Sequence, residues 1–184
     1  METAFEKRLN PGKAFEERLK TILERMGHTV ALNGTEHTHK AFVDMLRSNN
    51  SDAAKFVRFA PDGVYLTKTN ANVIYYDAKA ARTIEKDAWT VYNKYCQCGC
   101  RVVLYVQSNI DIYWQDIQRV ELEHGSVTVS RYARDRRFPV DEDGWITPRN
   151  KHGFFSGGKM SGTPYREILF DSMNTFDDWL EYLD

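Results

Sequence analysis

The chain of 184 residues is 42% hydrophobic and 28% charged, with a formal net charge of −1. This length and composition are typical of a globular protein with one substantial core. The near-zero charge excludes a surface that is basic overall, so any nucleic-acid contact has to be local. No apolar run reaches the ~18 residues of a membrane span, and residues 1–6 lack the apolar segment of a signal peptide. We therefore expect no membrane association, and three clustered cysteines, which do not make a disulfide framework, indicate a reducing cytoplasm.

The first predicted element is a helix with one apolar stripe. Residues 14–19 echo residues 4–9, and Asn10-Pro11-Gly12 between them is predicted to stop a continuous helix. The second copy begins the better helix, which Gly27 is predicted to end, and a short strand follows at residues 28–32. The stripe consists of residues spaced as on one helical face: Phe15, Leu19, Ile22, Leu23 and Met26.

Residues 61–79 are predicted to form a β-hairpin that carries polar groups at one end. Two runs of β-branched and aromatic residues flank a polar turn at residues 67–70. Asp77 and Lys79 lie two residues apart at the end of the second strand, so their side chains share a face. Asp62 begins the neighbouring strand. Burial of such charges is unfavourable unless they have partners or a function. The hairpin therefore predicts two carboxylates and one amine at one end of a sheet.

The remaining pattern predicts an α/β (α+β) fold, with a mixed central sheet flanked by helices. A strand at residues 101–106 is predicted to be central because it has few polar positions. We expect a single domain, residues 1–184, with a core at about residues 10–120 and a C-terminal β/loop/helix extension at about 121–184. The other predictions are an insertion at 33–50 with a helix at 39–47, a strand or an extended segment at 55–59, helices at 84–95 and 115–120, an edge strand at 110–114, a strand at 126–130, a Gly-rich loop at 151–162 and a helix at 176–183.

The hairpin and the first helix resemble a known pattern. Pro61-Asp62, followed after fourteen residues by Asp77-Ala78-Lys79, is similar to the signature of the PD-(D/E)XK nuclease superfamily. Asn10-x-Gly12 and Asp62-Gly63-Val64-Tyr65 resemble Holliday-junction resolvases of the RecU type, with Pro11 in place of the usual arginine. The resemblance covers about residues 10–115 and implies a restriction-endonuclease-like fold. The first helix also looks like the opening helix of these nucleases at Gly12, Phe15, Glu16, Leu19, Ile22, Leu23, Gly27, His28 and Val30.

The resemblance implies a metal-dependent nuclease that hydrolyses DNA phosphodiester bonds, with Mg²⁺ as cofactor and Mn²⁺ as a substitute. It implies that Asp62, Asp77 and the backbone carbonyl of Ala78 bind the metal. Glu16 would bind it directly or through water. Carboxylate oxygens are hard ligands that suit Mg²⁺, and open positions leave room for water and phosphate. Lys79 would contact the attacking water or the scissile phosphate, as a point charge or as a base.

Two alternatives stay open within this set. Glu6 and Glu17 are rivals for the role of the glutamate ligand. The second alternative is purely structural, and it makes Asp77 and Lys79 a surface ion pair while Asp62 belongs to a turn. That reading accounts for each residue separately but not for their common position at the end of an apolar strand.

A second set of residues is predicted to bind DNA phosphates. Arginines and aromatic residues are interleaved in residues 131–138, and an acidic stretch follows at 141–143. Asp135 and Asp141 could neutralise part of the positive charge of the arginines. The resemblance makes a resolvase of branched DNA the first expectation, and the symmetry of that substrate implies a homodimer. A restriction or repair nuclease, a catalytically inactive DNA-binding module and an unrelated α/β protein are the alternatives. The arginines are Arg131, Arg134, Arg136 and Arg137.

Two further patterns resemble ligand sites less closely. Cys96, Cys98 and Cys100 lack the Cys-x-x-Cys spacing of structural zinc sites, so thiols in a loop are favoured over a zinc site. Residues 153–159 match the start of a phosphate-binding P-loop, but Met160 stands where a serine or threonine is required. We therefore do not predict a nucleotide site there.

Overall fold

The computed structural model describes residues 6–33, 45–46, 48–49, 51–69, 71–125, 140–147 and 164–176, with side chains from residue 11 onward. The main helices are α1 (Glu6–Arg25), α2 (Asp52–Arg58) and α3 (Lys86–Gln97). The strands are β1 (Thr29–Leu32), β2 (Gly63–Leu66), β3 (Val73–Lys79), β4 (Thr83–Glu85), β5 (Arg101–Ser108), β6 (Asp111–Asp116), β7 (Tyr165–Glu167) and β8 (Asn174–Thr175). Six strands form one sheet in the order β1-β2-β3-β5-β6-β8, and β4 pairs with β7 separately.

The large sheet is mixed and lies between helices, which confirms the predicted fold class. Strands β3 and β5 are parallel, and the other neighbours in the sheet are antiparallel. Strand β5 is central, and five consecutive residues in it are buried. Since successive side chains of a strand point to opposite faces, the sheet is covered on both faces at β5. Val103 and Tyr105 belong to the core beneath α1, whereas Val102, Leu104 and Val106 belong to the core beneath α3.

The predicted apolar stripe of α1 and the predicted hairpin are both confirmed. Phe15, Leu19 and Leu23 are buried against the sheet, and the stripe's other two residues pack at its margin. Gly27 follows the helix with a φ of 89°, a conformation that glycine adopts without strain. In the hairpin, β2 and β3 are antiparallel, and Gly63 lies opposite Tyr76.

Two local predictions were wrong. Helix α1 runs through Pro11 instead of stopping there. Proline lacks one backbone N–H, but this loss falls near the helix start, and the buried stripe anchors the later turns. Residues 52–58 form helix α2, not an extended segment. The Ser51 side chain caps this helix by accepting a hydrogen bond from the Ala54 N–H at 3.2 Å.

Long-range pairing changes three further elements. Ile84 is buried in β4, which pairs with β7, so the predicted helix at 84–95 begins later, at Lys86. Strand β6 is not an edge strand, because β8 pairs with its residues Tyr113 and Trp114. The predicted helix at 115–120 is a short 3₁₀ turn at Ile117–Arg119.

The described part of the C-terminal region belongs to the same fold. Strands β7 and β8 each pair with an earlier strand, and Trp145, Ile146 and Ile168 are buried. None of the described helices is both long and apolar enough to cross a membrane. Several predictions lie wholly or largely outside the described residues: the helix at 39–47, the strand at 126–130, the loop at 151–162 and the helix at 176–183.

The close approach of Tyr76 to Gly63 gives a test of the hairpin. A Cβ at position 63 would collide with the Tyr76 ring, which is fully buried and has no room to withdraw. We expect Gly63→Ala to lower the free energy of unfolding by about 1–3 kcal/mol, measured by chemical denaturation. Gly12→Ala is the matched control, because a Cβ there meets nothing within 4 Å. It should instead stabilise α1 by about 0.5–1 kcal/mol. Equal effects would contradict the described packing.

Candidate active site

The end of the β2–β3 hairpin brings three predicted site residues together. The Lys79 ammonium lies 3.1 Å from Asp77 Oδ2, which confirms that the two side chains share a face. Asp62 reaches across from the start of β2, and its Oδ2 accepts a hydrogen bond of 2.8 Å from the Ala78 N–H. Two carboxylates and one ammonium therefore lie around the last three residues of β3.

Backbone pairing fixes the position of both aspartates. The Asn33 N–H donates a 2.8 Å hydrogen bond to the Asp62 carbonyl, just beyond the end of β1. Asp77 lies opposite Leu104 in the parallel pairing of β3 with β5. The alternation along β3 turns Ala78 towards the core beneath α1 and directs Asp77 to the opposite face. Asp77 is therefore held between the sheet and α3.

Tyr92 on α3 is the second partner of Asp77. Its hydroxyl donates a hydrogen bond of 2.5 Å to Asp77 Oδ1, and both side chains are 1% exposed. Burial and the negative charge of Asp77 raise the pKa of Tyr92, so this hydroxyl keeps its proton. The two oxygens of Asp77 thus face a phenol on one side and an ammonium on the other.

Asp62 is held in an environment that disfavours its charge. Burial raises the pKa of Asp62 well above its ordinary value, and the negative charge of Asp77 raises it further. Lys79 and the Ala78 N–H oppose this shift without reversing it. A buried carboxylate beside another carboxylate is the arrangement that a cation would relieve.

Lys79 is surrounded by acids and carries a firm positive charge. Burial alone would lower the pKa of Lys79. The negative charges of Asp77 and Asp62 outweigh that effect and raise the pKa above its ordinary value. Glu85, at the end of β4, adds to the increase. Glu85 is a neighbour of the site that the sequence did not single out.

Glu16 belongs to the same electrostatic neighbourhood. It is half-buried on α1, and its charge contributes to the raised pKa values of Asp62 and Tyr76, in both of which burial is the largest cause. Its rival Glu17 is exposed, and the side chain of Glu6 lies outside the described residues. The Tyr76 hydroxyl, on the α1 side, is buried and has no hydrogen-bond partner within the described residues. The assignment of the glutamate ligand stays a prediction.

The chemistry of these residues fits a hard divalent cation. The available donors are carboxylate oxygens and the Ala78 carbonyl, which are the ligand types that Mg²⁺ and Mn²⁺ prefer. Burial beside Asp77 raises the pKa of Asp62, and within the described residues the buried Tyr76 hydroxyl has no hydrogen-bond partner. A bound, hydrated cation would favour the charged form of Asp62 and bring water towards such a hydroxyl. Among the described residues, no three aspartate, glutamate, histidine or cysteine side chains are arranged so that they could hold a metal ion together.

The other predicted binding residues divide into two groups. Arg131, Arg134, Arg136 and Arg137 lie outside the described residues, so their role stays a prediction. The cysteines are free thiols: Cys96 lies in the last turn of α3 and is half-buried, whereas Cys98, which is exposed, and Cys100, which is half-buried, follow the helix. Burial raises the pKa of Cys96, which makes its thiolate less available.

Tyr92 was missed as a site residue, although the sequence contains a signal for it. It is one of the apolar and aromatic residues that recur at helical spacing within residues 84–95, and it is buried. A buried tyrosine requires a hydrogen-bond partner for its hydroxyl. Asp77, fifteen residues earlier, ends the strand that precedes this predicted helix and has a side chain that can accept such a bond. The local sequence does not show that α3 packs on β3, nor that Glu85 lies near Lys79.

Comparisons with known proteins include a structural likeness to a nuclease. No protein-family model matches the sequence, and no curated protein is significantly similar to it. The structure is similar to that of Hjc, a Holliday junction resolvase from the archaeal hyperthermophile Archaeoglobus fulgidus. The TM-score is 0.39 and the sequence identity 12%, over 60% of this chain and 75% of the resolvase. A likeness at this level does not establish a shared family.

Proposed function

We propose that the protein is a divalent-metal-dependent endonuclease that hydrolyses DNA phosphodiester bonds. The supporting observation is the convergence of Asp62, Asp77 and Lys79 at the end of the β2–β3 hairpin. A buried carboxylate and a half-buried one beside a single ammonium are unfavourable as a purely structural device. They are well suited to a reaction in which negative charge grows on phosphate oxygens.

Each residue has a role in this proposal. Asp62, Asp77 and the Ala78 carbonyl hold the metal, and Glu16 contributes directly or through water. The bound Mg²⁺ or Mn²⁺ supplies Lewis acidity and lowers the pKa of water. Lys79 places a positive charge against the scissile phosphate or the attacking water. Its acidic surroundings favour the role of a cation over that of a base.

The finer proposal concerns the substrate and the assembly. We infer a resolvase of branched DNA, a Holliday-junction enzyme of the RecU type, from the sequence pattern of the first helix and the hairpin. Such a substrate has two equivalent strands to cut, and a homodimer would present two sites to them. Arg131, Arg134, Arg136 and Arg137 would contact backbone phosphates. A cytoplasmic location and roles in recombination and repair are part of the same proposal.

The direct test is a cleavage assay with matched variants on one helix. We expect the purified protein to cut a four-way junction with Mg²⁺ or Mn²⁺ and not with EDTA, in parallel with plasmid and single-stranded substrates. Glu16→Gln should lower the rate about 100-fold or more if Glu16 supports the metal. Glu17→Gln, at the exposed neighbouring position, should leave the rate unchanged. Equal rates for the two variants would remove Glu16 from the site.

One observation favours a second candidate, a DNA-binding module without catalysis. Both oxygens of Asp77 are engaged, one by Tyr92 and the other by Lys79. If that arrangement is permanent, the carboxylate cannot bind a metal. A cleavage assay together with a gel mobility-shift assay separates the candidates. Such a module would slow the migration of the junction without cutting it at any metal concentration. A protein that neither binds nor cuts DNA would defeat both proposals.

A further inference from the structure

The two partners of Asp77 differ in their freedom to leave. Tyr92 lies on α3 and is 1% exposed, so its hydroxyl cannot move into solvent without disturbing the core. Lys79 is the last residue of β3, its side chain is 24% exposed, and exposed residues 80–82 follow it. A lysine side chain is a flexible stem with a strongly hydrated head, so its ammonium is able to move into solvent.

The geometry of the two contacts differs in the same direction. The Tyr92 hydroxyl donates a short hydrogen bond to Oδ1. The Lys79 ammonium lies 3.1 Å from Oδ2 as an ion pair, but that oxygen makes no contact of hydrogen-bond geometry within the described residues. Oδ1 is therefore held by a fixed donor, and Oδ2 by an exchangeable charge.

We propose that Lys79 is the resident counter-ion of Asp77, and that a divalent cation binds Asp77 at Oδ2 by displacing the Lys79 ammonium. This inference rests on the proposed function, because it assumes that Asp77 is a metal ligand. Without the cation, the ammonium balances a carboxylate that is 1% exposed. With the cation in place, Oδ1 stays with Tyr92 and the ammonium is released towards solvent.

The exchange would couple metal binding to the next step of the reaction. While the Lys79 ammonium is paired with Asp77, the carboxylate largely compensates its positive charge, so its attraction for a phosphate is weak. Once released, it remains on the same short segment as the metal ligands and is available to a phosphate oxygen. Lys79 would then reach the substrate only when the metal is present.

The first test measures Mn²⁺ affinity by isothermal titration calorimetry in the absence of DNA. Lys79→Gln removes the competing charge and should bind Mn²⁺ roughly tenfold more tightly than the unaltered protein, although it should not cut. Lys55→Gln is the matched control, because Lys55 also forms a 3.1 Å ion pair, with Asp87, but away from the hairpin. Its affinity for Mn²⁺ should stay within about twofold of the original.

The second test uses the unaltered protein, so it does not depend on the folding of a variant. Saturating Mg²⁺ should increase the rate at which an amine-directed reagent modifies Lys79, measured by peptide mass spectrometry against Lys55 as an internal reference. Unchanged reactivity together with unchanged affinity in Lys79→Gln would overturn the exchange, even if the protein cuts DNA with metal. A protein that neither binds Mn²⁺ nor cuts would overturn the proposed function and the exchange with it.

Discussion

Asp62→Asn is expected to abolish cleavage and, in the same molecule, to raise the thermal stability of the metal-free protein. The rate should fall about 100- to 1,000-fold, because an amide cannot supply the charge that holds the metal. The melting temperature should rise by about 2–4 °C near pH 7.5, which corresponds to roughly 1 kcal/mol for a chain of this size. A neutral side chain avoids the burial of a charge beside Asp77, and its oxygen still accepts from the Ala78 N–H.

The pH dependence of this stabilisation has a definite sign. In the folded protein the pKa of Asp62 is raised above its ordinary value of 3.8, because of burial first and of Asp77 second. The folded state therefore holds the Asp62 proton more tightly than the unfolded chain does. This contribution to stability is complete below pH 3.8 and is lost as the pH rises through the folded pKa. The advantage of Asp62→Asn should accordingly be largest at neutral pH and should shrink as the pH falls towards 4.

Two measurements keep this prediction specific. Asp111→Asn, at an exposed position of β6, should change neither the rate nor the melting temperature appreciably. Mn²⁺ should raise the melting temperature of the unaltered protein and not that of Asp62→Asn. An asparagine before a glycine is prone to deamidation, so mass spectrometry has to verify the amide in each sample. A variant that is less stable at every pH and still cuts would make Asp62 a turn residue only.

The sequence predicted those features of the fold that are encoded within one element. The stripe of α1 follows from helical spacing, and the hairpin follows from two β-forming runs around a polar turn. The shared face of Asp77 and Lys79 follows from strand alternation alone. The central position of β5 follows from its lack of polar residues, since only a strand covered on both faces tolerates that composition.

The wrong predictions concern pairing over long distances or a neglected local signal. Strands β4 and β6 acquire their neighbours from residues 165–167 and 174–175, which are too short to be recognised as strands by pattern. The helix at 52–58 was not predicted, because residues 55–59 also suit an extended segment; the local signal for the helix is the capping Ser51 at its start. The prediction of a break at Pro11 treated proline as decisive, although the buried stripe that follows it outweighs one lost backbone bond.

The candidate site shows the same division. Asp62, Asp77 and Lys79 were predicted because a hairpin and an alternating strand suffice to bring them together. The partner of Asp77 on α3 was not, because a helix stripe indicates which residues are buried but not what they meet. The hydrogen bond from Tyr92 makes Asp77 a structural residue as well as a candidate metal ligand.

Asp77→Ala is expected to destabilise the protein strongly, by about 3–5 kcal/mol, because it leaves the Tyr92 hydroxyl buried without an acceptor and breaks a buried ion pair with Lys79. Chemical denaturation measures this change. Tyr92→Phe should cost only about 1–2 kcal/mol, the usual effect of one buried hydrogen bond. The double variant should cost clearly less than the sum, since the orphaned hydroxyl is then gone.

The ion pair between Lys55 and Asp87 provides the matched control for this experiment. It has the same 3.1 Å separation, but both side chains are about one third exposed. Asp87→Ala should therefore cost about 1 kcal/mol or less. If Asp77→Ala is no more harmful than Asp87→Ala, the described burial of Asp77 is wrong. If it is as harmful as expected, inactivity of Asp77→Ala reports on folding as much as on catalysis. Asp62→Asn, which should gain stability while it loses activity, is then the variant that separates the two effects.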